Sequence, residues 1–139
     1  MRQHNIHQAV YTKLSGDAAL AALATGGIHA DKAQPTDAGD ATAFPYVTFG
    51  RNVTSPWDSK TNFGGQLSMQ IDAWSRSNNY LEVEQIADRI HALLHHTKLD
   101  IDDCEHVMTT CESVTVTPDV DGHTKRALML YRVVVYGLR

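Results

Sequence analysis

The chain has 139 residues, 42% of them hydrophobic and 20% charged, which is the size and balance of one ordinary globular domain, so neither a second domain nor a disordered composition is expected. Its formal net charge is −4 with histidine neutral, and its 12 Lys and Arg residues are scattered, which argues against a protein whose main task is gripping phosphates. No apolar run nears the roughly 20 residues of a membrane span, nothing at the amino terminus reads as a signal peptide, and two cysteines without CxxC spacing predict a reducing, cytosolic setting.

In chain order, Ile6, Ala9, Val10 and Leu14 share one helical face, and Ser15-Gly16-Asp17 interrupts it with a stop residue and a good N-cap. A second short helix follows through Ala18–Ala24, with Leu20, Leu23 and Ala24 on its buried side. Gly26-Gly27 ends it where positive φ costs little. Ile28-His29-Ala30 reads as a brief edge strand. Residues 31–43 have the composition of a surface loop, closed by Pro45. Tyr46–Gly50 then begins a strand with Val47 and Phe49 on one face, and Asn52–Gly65 reads as a long polar loop carrying Pro56, Trp57 and Gly64-Gly65.

The next stretch is the most informative. Leu67, Met69, Ile71 and Ala73 alternate with Gln66, Ser68, Gln70 and Asp72, the pattern of a strand with one apolar and one wet face. Beyond Trp74–Asn79, the residues Tyr80, Val83, Ile86, Ala87, Ile90, Leu93 and Leu94 recur at steps of three and four, which makes an amphipathic helix. That helix should lie on the strand's apolar face. After Lys98–Ile101, a strand is expected from about Glu105 to Thr117, a turn at Pro118–His123, and a last strand from about Lys125 to Tyr136.

This last strand is apolar on both sides. Ala127, Met129, Tyr131, Val133 and Val135 point one way, and Leu128, Leu130, Val134 and Tyr136 the other, interrupted only by Arg132. It belongs in the middle of a sheet with cover on both faces. One long and two short helices can cover only one. The expectation is therefore an α+β fold: a four- to five-stranded, mostly antiparallel sheet with its helices mainly on one face. The second face is left to a loop or a neighbouring subunit.

Chemistry-bearing patterns are weak. His91 and His95 have the i, i+4 spacing of a helical metal pair, but Ala92 stands where a zinc protease needs its Glu, and no third ligand is evident. His95 and His96 also suit the last turn of a helix, where the dipole favours an imidazole. Asp100, Asp102, Asp103 and Glu105 lack calcium-loop spacing. Nothing in the chain supports nucleophilic catalysis, and no catalytic, cofactor or metal residues are assigned. Cys104 and Cys111, seven apart in one extended segment, fall on opposite faces by parity and should not pair. Trp74 is either a partly buried edge aromatic or an interface anchor, Trp57 leans towards a partner, and Arg76 matches Asp72 as a surface pair worth little.

The order of parts resembles a known family. Asp17-Ala18-Ala19-Leu20, Gly-Ile-His, Phe44-Pro45-Tyr46-Val47-Thr48, Gln70–Arg76, Glu84–Ile90, and Asp119-Val120-Asp121-Gly122 before a strand with Arg132 follow one another as in the tail completion, or tail terminator, family of tailed bacteriophages, prophages and gene transfer agents. The resemblance covers nearly the whole chain. It implies a structural protein without enzymatic activity or cofactor. Such a protein forms a homo-oligomeric ring, commonly of six copies, that caps the tail tube, contacts the major tail tube protein and joins it to the head–tail connector. DNA passes through without specific binding, no membrane is involved, and the protein goes from host cytoplasm to virion tail. The residues expected at subunit or partner interfaces are Trp57, Trp74, Arg76, Leu128, Leu130, Arg132, Val134 and Tyr136, with loops 31–43 and 53–65 facing tube or connector. The alternatives are another head–tail connector or minor tail protein of similar fold, and a small metal-dependent hydrolase using His91 and His95.

Overall fold

The computed structural model describes residues 3–29, 45–56, 64–76, 80–99, 101, 105–118 and 124–136. Helices α1 (Gln3–Ser15) and α2 (Ala18–Leu23) are followed by strands β1 (Ile28–His29), β2 (Tyr46–Pro56) and β3 (Gly64–Ser75), helix α3 (Leu81–Leu94), and strands β4 (Glu105–Pro118) and β5 (Lys125–Tyr136). The five strands form one sheet in the order β1-β2-β3-β5-β4. Only β1 and β2 are parallel; every other pairing is antiparallel. The expected α+β architecture is the one found.

Alternation along β3 and β5 builds the core. Leu67, Met69, Ile71 and Ala73 lie beside Val133, Tyr131, Met129 and Ala127, and all are buried under the helices. Ile6, Val10 and Leu14 of α1, Leu20 of α2, and Val83, Ile86, Ala87, Ile90 and Leu94 of α3 pack onto this face, as their helical spacing predicts. At the start of α3, Ser75 Oγ donates to Glu82 Oε1 at 2.5 Å, which ties the first helical turn to the end of β3.

Asp17 is the N-cap expected of it: its Oδ2 accepts the Leu20 N–H at 2.8 Å. The same carboxylate holds α3, with Arg89 Nε at 2.8 Å and an Arg89 terminal nitrogen at 2.7 Å. Gly27 takes φ 92°, the left-handed conformation foreseen for the glycine pair.

Two expectations of local structure are corrected. Strand β2 does not end near Gly50; it continues to Pro56, paired with β3 as far as Gly65, so only residues 57–63 separate the two strands. The register shifts between Phe49 and Asn52, and Val53, Thr54 and Ser55 are exposed. A strand end lying beyond the core has no apolar alternation to betray it. Gly50 sits in this irregularity, where a Cβ would lie 3.0 Å from Gln70 Nε2. The second correction concerns β4, whose register also shifts between His106 and Met108 and between Cys111 and Ser113. Counting parity from Cys104 to Cys111 is therefore unsound; Cys111 is a half-buried free thiol, and Cys104 lies outside the described residues.

Candidate interface on the uncovered face of the sheet

All three described helices pack on one side of the sheet. The opposite side is assembled from alternate residues: Gln66, Ser68, Gln70, Asp72 and Trp74 of β3, Arg126, Leu128, Leu130, Arg132, Val134 and Tyr136 of β5, and Met108, Thr110, Ser113 and Thr115 of β4. Leu128, Leu130, Arg132, Val134 and Tyr136 are each half-buried, while their β5 neighbours pointing to the helices are buried. The apolar row expected on this side is therefore present. Neighbouring strands already shield part of each side chain, so full burial adds only about 1 kcal/mol per residue, half of the usual ~1.5–3. Met108, 48% exposed, lies opposite Val134 and widens the row towards the sheet edge.

One end of this face is polar and internally satisfied. Trp74 is only 7% exposed, its indole Nε1 donates to Thr48 Oγ1 at 3.0 Å, Tyr46 stacks against it, and the Arg126 guanidinium lies 4.9 Å from its ring centroid. It is neither an edge residue nor a projecting anchor, since β3 is an inner strand. The pairing of Asp72 with Arg76 is likewise corrected. Asp72 bonds Arg126 on the neighbouring strand at 3.1 Å and accepts from Gln70 Nε2 at 3.0 Å, while Arg76 Nε donates to Thr124 Oγ1 at 3.4 Å. Trp57 lies outside the described residues. Of the eight residues singled out, the structure thus brings together Leu128, Leu130, Arg132, Val134 and Tyr136.

The histidines at the end of α3 do something that their spacing did not suggest. His91, His95 and His96 stack ring on ring, with centroids 4.4 Å and 3.9 Å apart. His95 Nδ1 accepts the backbone N–H of Cys111 at 3.0 Å, and the His96 N–H donates to the Thr109 carbonyl at 2.8 Å. Both partners are outward-facing backbone groups of β4, an edge strand. His96 reaches them by adopting φ 57°. Burial, then the adjacent His96 and His91, hold the His95 pKa below the ordinary imidazole value. His106 is also lowered, chiefly by burial and then by Lys98; its Nδ1 accepts the Leu99 N–H at 3.4 Å, so its Nε2 donates to Thr109 Oγ1 at 2.6 Å. Among the described residues, no group of three or more His, Cys, Asp or Glu is placed to hold a metal ion.

The Tyr131 hydroxyl is buried in the core without a hydrogen-bond partner, and its pKa is pushed up by burial. No helix of the described residues is long and apolar enough to cross a membrane.

Residues 8–136 match the family model described as tail completion protein gp17. The chain belongs to the tail completion protein family. Among curated relatives, the tail completion protein gp17 of Bacillus phage SPP1 is 25% identical over 92 residues, 66% of this chain and 68% of that one. In fold, the tail completion chain resembles a chain of the virion of a native gene transfer agent particle, with a TM-score of 0.79, 20% identity and 92% of each chain covered. It also resembles the structure of bacteriophage SPP1 gp17, with a TM-score of 0.60, 20% identity, and 94% of this chain and 88% of that chain covered.

Proposed function

We propose that this protein is a structural subunit of a phage or gene-transfer-agent tail, acting as a ring of identical copies, commonly six, that terminates the tail tube and joins it to the head-side connector. The observation carrying this reading is the uncovered row Leu128, Leu130 and Val134 on an inner strand, in a chain of the tail completion family. Inner-strand residues of this kind sit under cover in a finished assembly. An acidic net charge of −4 suits a passage through which DNA slides without being held. The role is one of shape and contact, with no chemistry of its own. The loop from 31 to 43 and the connection between β2 and β3 are the segments proposed to meet tube or connector.

The test is assembly. Purified protein studied by light scattering and negative-stain microscopy is expected to form closed rings at tens of micromolar. Leu130→Asp with Val134→Asp should give folded protomers that form no rings and leave heads unjoined to tails. Normal particles built from this double variant would refute the reading.

A further inference from the structure

Both borders of the sheet are partly sealed and partly open, and the seals are staggered. On β4, the His95 and His96 turn occupies the outward groups of Cys111 and Thr109. On β2, the segment Gly26–His29 occupies the outer side of Pro45–Thr48. Beyond these seals lie Ser113–Val116 on β4 and Asn52–Ser55 on β2, two runs of Ser, Thr, Val and Asn with neither Lys nor Pro to protect them. Because Cys111 turns its N–H away from β5, alternation along β5 from the opposed Tyr131 points Leu130 and Leu128 at β4, so Ser113 and Thr115 bond inward and Val114 faces out.

We infer that the open border of β4 in one copy pairs with the open border of β2 in the next, making one continuous sheet around the ring. This rests on the ring reading above and adds, beside the cover that the β5 row calls for, a second contact along the sheet borders. The occupant is a second copy for three reasons. Across the sheet β4 and β2 run in opposite directions, so a neighbour placed edge to edge meets β4 as an antiparallel strand. The two borders differ, so the contact is head-to-tail and can close into a ring. The third reason is the register, which faces must match: Thr115 and Val53 share the uncovered face, and Val114 and Thr54 the helical one.

Pairing Thr115 with Val53 of the next copy satisfies that match. Their rows cross β3 at Asp72 and Ser68, four residues apart. That is a stagger of roughly 13 Å over a four-strand width of roughly 19 Å, a strand tilt of about 35°, at the low end of the ~35–45° found in closed barrels. The four-residue offset, which leaves both seals in place, is thus one that ring closure can accommodate.

Val53→Cys combined with Thr115→Cys, in a Cys104→Ser, Cys111→Ser background, tests this. Mild oxidation of the full-length double variant should give a ladder of covalent multimers, with none from either single variant. Val114→Pro removes an outward N–H without disturbing the ladder to β5, so it should fold with an unchanged circular dichroism spectrum yet remain monomeric. Rings that persist in Val114→Pro, or that fail to cross-link, would overturn the edge contact and leave the ring standing. Dimers from Thr115→Cys alone would overturn it in favour of β4 against β4. Absence of rings in the unmodified protein would overturn both readings.

Discussion

The Asp17 carboxylate is shared between two helices: it caps α2 at the Leu20 N–H and grips Arg89 of α3 through both oxygens. Hydrogen bonds from Arg89, then the Leu20 N–H, hold its pKa at about 2, below the ordinary 3.8. A depressed carboxylate contributes stability that is present above its unfolded value and lost as pH falls towards the folded one. The melting temperature of Asp17→Asn should therefore lie below that of the native chain at pH 7, and the gap should close between about pH 4 and pH 2. Arg89 is 37% exposed, so added salt should also narrow it. A gap independent of pH would show that the ionised carboxylate contributes nothing beyond what a neutral cap supplies.

The histidine seal makes the C-terminal end of α3 acid-sensitive through a different group. His95 must be neutral at Nδ1 to accept from Cys111, and its folded pKa lies below the usual 6.5. Its contribution is full above about pH 6.5 and declines as pH falls through the lower folded value. Acidification from pH 7.5 to 5 should lower the melting temperature, and His95→Gln should reduce that drop. His106, shifted in the same direction, adds to the drop.

Trp74 and Thr48 form a buried cross-strand pair, so removing the acceptor should matter more than its size suggests. Thr48→Val is expected to cost about 1 kcal/mol in urea unfolding, and the double variant with Trp74→Phe should cost less than the sum of the single changes by a similar amount. Strict additivity would show that the hydrogen bond contributes nothing.

Adjacent residues of β5 should respond very differently to truncation. Met129 is fully buried against the helices, and Met129→Ala should cost about 2–5 kcal/mol. Leu130, half-buried on the other face, should lose about 1 kcal/mol or less in dispersed protein. Equal losses would mean that the second face is already covered within one chain.

Period-two and helical spacing made β3, α3 and β5 legible in the sequence, and β5 begins and ends at the residues expected, Lys125 and Tyr136. These elements bury an apolar side, and burial is what periodicity records. The second half of β2 was hidden because Val53–Ser55 bury little, and the bulges in β4 because nothing in a run of Thr, Val and Ser marks them. The uncovered row on β5 was readable, since its alternation is strict. Trp74 was misplaced because its partners, Thr48, Tyr46 and Arg126, come from two other strands that no local pattern connects to it. The histidines carried a signal, three in six residues, but their use as acceptor and donor to a strand edge depends on how the α3 terminus meets β4.

Sheet order has one more consequence, for biosynthesis. Because β5 comes after the other described elements in the chain yet sits between β3 and β4, neither β3 nor β4 has its inner partner until residues 125–136 have been made. Translation must therefore reach the end of β5 before the sheet can be completed, and a nascent chain short of it lacks the strand that joins β3 to β4.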